Sequence, residues 1–95
     1  MSVAEVTWIK GHIDPPVSKE YYVALEALTD DIPGFSKGDI EITGDYWTGE
    51  EWQSLGKNNP FWRVLCWAGV LRPNIPDGLN KRVRRYFGFT VEREE

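Results

Sequence analysis

Cysteine, histidine and methionine each occur once in this 95-residue chain, and that scarcity removes whole classes of chemistry. The lone Cys66 cannot close an intramolecular disulfide, and it sits in the apolar run Val64-Leu65-Cys66-Trp67, where a thiol behaves as a small hydrophobe. The lone His12 lies in a loop-like stretch and is read as a surface imidazole. One Cys and one His make a weak basis for a nucleophilic pair and no basis for a structural zinc site. No Gly-rich phosphate loop or nucleophile elbow is present, and Asp39-x-Glu41 lacks the twelve-residue spacing of a calcium loop. The expectation is a non-enzymatic protein with no catalytic residue, metal or cofactor. No apolar run approaches the roughly 20 residues of a membrane span. The start Met1-Ser2-Val3-Ala4-Glu5 has no basic segment leading into an apolar one. A soluble, cytoplasmic protein without membrane contacts is therefore expected. Internal repeats and low-complexity segments are missing as well.

What the chain has is aromatic bulk. Tryptophan occurs five times, at Trp8, Trp47, Trp52, Trp62 and Trp67, and aromatic residues make up 14% of the sequence. A chain of this length is one domain, and domains this small have little core to spare unless large side chains fill it. Charged residues at 27% beside 41% hydrophobic residues are ordinary for a folded protein.

The net charge of −4 is unevenly spread: residues 1–77 hold six Lys/Arg against twelve Asp/Glu, and residues 78–95 hold five against three. A basic tail on an acidic body marks either a separate binding surface or a tail docked on its own body.

Along the chain, Val6-Thr7-Trp8-Ile9 is β-prone and ends at Lys10-Gly11, before the prolines Pro15 and Pro16. Residues 21–28 fit a strand with Tyr21, Val23, Leu25 and Ala27 on one side, and also a helix capped by Ser18. The alternation favours the strand. Ile40 and Ile42 alternate with Asp39, Glu41 and Thr43, a half-buried strand that Gly44 is expected to bulge before it continues through Trp47. Gly49-Glu50 then turns a hairpin that makes Trp47 and Trp52 cross-strand neighbours. The run Phe61–Trp67 is apolar on both faces and reads as a central strand. Arg72–Pro76 reads as extended linker. Asp77 is placed as an N-cap, with Leu79, Val83, Tyr86 and Phe87 at helical spacing and Gly88 as the stop, which predicts a helix over 77–87. Phe89-Thr90-Val91 is a last short strand before an acidic end. Strands followed by one helix predict an α+β domain, a small antiparallel sheet of four or five strands covered by a C-terminal helix.

The pieces Trp8-Ile9, Pro15-Pro16, Tyr22-Val23-Ala24-Leu25, Tyr46-Trp47-Thr48-Gly49-Glu50-Glu51-Trp52 and Val64-Leu65-Cys66-Trp67 occur in that order. In order and spacing they resemble a family of small phage and prophage domains of unknown function, over about residues 8–76. Family members close with Trp-Met-Pro-Leu-Pro, whereas here Ala68-Gly69-Val70-Leu71-Arg72 intervenes before Pro73. The resemblance implies a phage or prophage origin and carries no chemistry with it.

Two constellations remain. The aromatic and acidic set Tyr46, Trp47, Trp52, Asp39, Glu41 and Asp45 would suit a protein partner if exposed, because rigid aromatics give contact area at small entropic cost and carboxylates attract basic segments. The competing reading puts the indoles in the core and the acids on a solvated sheet face. Lys81, Arg82, Arg84 and Arg85 would suit nucleic acid, an alternative opposed by the acidic whole-chain balance. The function expected is therefore protein binding by a phage or prophage accessory protein, its partner a bacterial host or phage protein and its purpose the countering of a host defence. Nucleic-acid contact through the basic tail, and a homo-oligomeric structural subunit, are the other classes.

Overall fold

The computed structural model describes residues 8–69, 75–76 and 78–91. The architecture is one mixed sheet of six strands in the order β1-β4-β2-β3-β5-β6. The strands are β1 (Ile9–Lys10), β2 (Lys19–Ala27), β3 (Ile40–Trp47), β4 (Trp62–Ala68), β5 (Val83–Tyr86) and β6 (Phe89–Thr90). The expected α+β class is thus overturned: the described residues contain six strands and no helix, and β5 runs parallel to β3 within an otherwise antiparallel sheet. The Asp77 cap, the linker residues 72–74, Val6-Thr7 and the acidic end lie outside the described residues.

Within the span predicted as a helix, the described residues hold strand β5 and a tight turn, and the last short strand expected after it is β6. Leu79, Val83, Tyr86 and Phe87 do face apolar surroundings, since all four belong to one core cluster, but the backbone is extended over Val83–Tyr86 and turns at Phe87. Phe87 and Gly88 carry φ of 48° and 84°, the pair of left-handed conformations that a two-residue type I′ hairpin demands. Gly88, taken as a helix stop, is the second turn residue, and Phe87 fills a position usually given to Asn or Asp.

β2 is the middle of the fold, antiparallel to β3 on one side and to β4 on the other. The choice of strand for 21–28 is therefore correct. Gly44 pairs with Tyr22 in unbroken register, so the expected bulge is not there. The irregularity falls in β4 instead: Ala24 faces Cys66 while Leu25 faces Val64, leaving Leu65 as the extra residue. That one residue switches the parity of β4 and brings Trp62 and Val64 to the same face as Trp67. The mixed apolar character of the run follows from it.

Both faces of the sheet are covered. On one, Tyr21, Val23, Leu25, Trp47, Trp52 and Trp67 form a cluster joined by Ile9, Leu55, Trp62 and Val64. Edge-on ring pairs hold it, Tyr21 with Trp67 at 5.0 Å and Trp47 with Trp52 at 5.2 Å between centroids, each worth about 0.5–1.5 kcal/mol beyond burial. On the other face, Ala24, Ile40, Ile42 and Val83 are buried beneath Trp8, Ile75, Leu79 and Phe87. The β3–β4 connection thus closes one face through Trp52 and Leu55, and the β4–β5 connection closes the other through Ile75 and Leu79.

Candidate functional site

The aromatic and acidic set is split between two faces and between interior and surface. Trp47 and Trp52 are 6% and 8% exposed, joined by an antiparallel bridge, and belong to the core. Tyr46, next along β3, points to the opposite face and is 39% exposed. Asp45 is buried and accepts hydrogen bonds from the Tyr46 amide at 2.8 Å and the Ser54 hydroxyl at 2.8 Å, so it organises the turn after Trp52. Asp39 is also buried and accepts from the Ser36 amide at 2.8 Å, closing the turn before β3. These groups brace loops and do not share one exposed surface.

The basic tail is engaged with the acidic body. Arg82 donates to the Glu26 carboxylate and, through Nε, to the Gly38 carbonyl at 2.8 Å. Arg84 Nε lies 3.5 Å from Asp39 Oδ2 and Arg85 Nη1 lies 3.8 Å from Glu41 Oε2. The Arg85 guanidinium also sits 5.1 Å from the centroid of the Phe35 ring, a cation–π contact. Lys81 is exposed. Parallel pairing of β5 with β3, which no helical reading of the tail can supply, is what sets Arg85 beside Glu41.

Glu26 is the hub of these contacts, sharing its two oxygens between Arg63 of β4 and Arg82. Burial alone would push its carboxyl up, but the hydrogen bonds and charges of the two arginines outweigh that and hold it below the usual glutamate range. Glu41 behaves in the opposite way: burial pushes its carboxyl up, and Arg85 offsets only part of the shift. Burial likewise raises the Cys66 thiol to about 11, as expected of a core thiol without an activating partner. His12 is exposed, as its sequence context implied.

A recess that gathers ionisable side chains lies beside this network. A concavity of about 540 Å³ is lined by Asp30, Asp31, Ile32, Phe35, Asp39 and Arg84 among others. Its rim is the loop between β2 and β3. Asp30 accepts from the Lys37 amide at 2.7 Å, and Asp31 is held near Thr29, so both carboxylates are positioned yet solvent-exposed. Phe35, in its wall, packs edge-on against Trp62 at 4.9 Å. The adjoining Phe61 is 47% exposed, and its carbonyl accepts from the Leu28 amide at the end of β2 at 2.8 Å. Nothing in the sequence signals this concavity, whose wall residue Phe35 meets Trp62 across 27 positions. Among the described residues no group of three or more His, Cys, Asp or Glu side chains is arranged to hold a metal ion. No described helix is long and apolar enough to cross a membrane. No family model, curated protein or solved structure matches this chain.

Proposed function

We propose that this chain is a non-enzymatic binding module acting by protein–protein contact, and that it docks a basic, extended protein segment at the concavity beside Asp30, Asp31 and Phe61. The observation that carries the reading is the internal use of the tail arginines. With Arg82, Arg84 and Arg85 committed to Glu26, Asp39 and Glu41, the exposed carboxylates of the rim are left to attract a partner of opposite charge. Phe61 supplies an exposed ring on which an arginine or apolar side chain can rest. Through the sequence resemblance, the setting we propose is that of a phage or prophage accessory protein whose partner is a host or phage protein, including one of a host defence. The same internal pairing counts against the basic tail as a nucleic-acid site in the closed fold.

The test is a comparison of wild type with Asp31→Lys/Phe61→Ser as baits in bacterial lysate, followed by affinity measurements on the captured partner at low and physiological salt. The variant is expected to lose the partner and its salt dependence while keeping the wild-type thermal midpoint. A partner held equally by both proteins at low salt overturns the assignment of the concavity.

A further inference from the structure

The last two strands are fastened to the fold differently from the rest. β2 pairs with β3 from Lys19 to Glu26 and with β4 from Tyr22 to Ala27, whereas β5 meets β3 only between Ile40 and Ile42, with an irregularity after the first pair. β6 adds two pairs, beyond a turn that holds Phe87 at a φ of 48°, a conformation that costs a non-glycine residue energy. Among residues 83–91 only Val83 is fully buried. Tyr86, Phe87 and Val91 pack, only partly buried, against the cluster around Val83, and partial anchoring with short ladders marks segments that open before the whole protein unfolds.

Charge adds to this packing. The three arginines at 82, 84 and 85 each meet a carboxylate of the body: Glu26 in β2, Asp39 just before β3, and Glu41 within it. A guanidinium presents the same fork to a carboxylate as to a phosphate. A carboxylate on the same chain also faces the arginine at a high effective concentration.

We propose that β5–β6 is a charge-latched arm that opens as a unit while β1–β4 stays folded, and that Glu26, Asp39 and Glu41 act as an internal inhibitor, keeping Arg82, Arg84 and Arg85 from gripping an external polyanion. Opening breaks the bonds Ile40 N to Arg82 O and Phe87 N to Ile42 O, both 2.8 Å. It frees the β3 edge and the three guanidinium groups together. The latch shares Asp39 and Arg84 with the wall of the concavity, but the inference does not require a partner to bind there.

Amide hydrogen exchange of the full chain, paired with binding of a labelled 20-base-pair DNA duplex as the polyanion probe, tests it. In the wild type, the amides of Ile40 and Phe87, which bond across the β3–β5 seam, are expected to exchange at one common opening rate, at least tenfold faster than those of Val23 and Leu25. In Glu26→Gln/Glu41→Gln, which spares the turn-closing Asp39, arm exchange should accelerate at least a further tenfold with β2 unchanged. Duplex affinity should rise at least tenfold, with a salt dependence that reflects phosphate contacts. Glu20→Gln/Glu50→Gln makes the same change in net charge at exposed positions away from the latch and should show neither effect. Arm amides that exchange with those of β2 in the wild type overturn the proposal, and that measurement decides even if the latch variant fails to fold. An equal gain in duplex affinity by the control variant, or none by a folded latch variant, also overturns it.

Discussion

Trp67 joins the two halves of the larger core, and its removal can be worked through in two steps. The indole is 6% exposed, packs edge-on against Tyr21 at 5.0 Å, and donates from Nε1 to the Ile13 carbonyl at 2.7 Å. Trp67→Phe keeps most of the packing and deletes the donor. Ile13 is exposed, so water replaces the lost donor and the cost is about 1 kcal/mol, a fall in thermal midpoint of roughly 4–8 °C for a domain of this size. Trp67→Ala removes the ring as well, and large-to-small changes of that kind cost about 3–5 kcal/mol. Set against the roughly 5–15 kcal/mol that holds a typical domain together, the Ala variant is expected at the edge of folding. Urea unfolding followed by far-ultraviolet circular dichroism reads both variants without interference from the other tryptophans. Equal losses for Phe and Ala would locate the energy in the hydrogen bond and refute the packing argument. A loss under about 1 kcal/mol for Ala at unchanged m-value would remove Trp67 from the core altogether.

Three further outcomes are expected. Gly11→Ala should be strongly destabilising and disrupt the β1–β4 pairing in calorimetry, because the added Cβ would lie 1.9 Å from the Val64 carbonyl oxygen; Gly34→Ala, with a φ of 84° and nothing within 4 Å, should cost only about 1 kcal/mol of strain. In urea midpoints measured against pH, Glu26, whose carboxyl is held low in the fold, contributes stability that is present at neutral pH and lost as pH falls below about 4. Glu41, held high, contributes in the opposite sense, its stability rising as pH falls through its raised folded value, so Glu26→Gln should flatten the acid limb and Glu41→Gln should remove the opposing pH dependence. Cys66, its thiol raised to about 11, should resist a thiol-reactive disulfide reagent at mildly alkaline pH until denaturant is added.

Strands β2 and β3 were legible because their alternation is intact: Tyr21, Val23 and Leu25 on one, Ile40 and Ile42 on the other, with pairing that runs without interruption across Lys19–Glu26. The Trp47–Trp52 contact was legible because Gly49, at a φ of 103°, is the turn residue such a hairpin requires. What failed was reading β5, while the last short strand expected at 89–91 is β6. Val83 follows Leu79 by four positions, and Tyr86 and Phe87 follow Val83 by three and four, a helix-like spacing that arises where an irregularity at Arg84 breaks the two-residue period of the strand. A tight turn whose first residue is Phe carries no turn signal. The contact set was therefore right and the backbone wrong. In the candidate site, charge balance left open whether the tail is a separate surface or rests on its body, and the partners of each arginine follow from parallel register, which local sequence does not encode.

The coverage of both sheet faces by long connections has a kinetic meaning. Only the β2–β3 and β5–β6 pairs join strands that are neighbours in sequence. The β1–β4 and β3–β5 pairs, the Trp67–Ile13 bond across 54 positions and the Arg82–Glu26 bond across 56 all require distant parts of the chain to meet. Chains dominated by such closures pay loop entropy before contacts reward them, and fold in milliseconds to seconds where local ones take microseconds. The β2–β3 hairpin is then the natural nucleus, and the aromatic face and the arginine latch form last, each laid across a sheet that already exists.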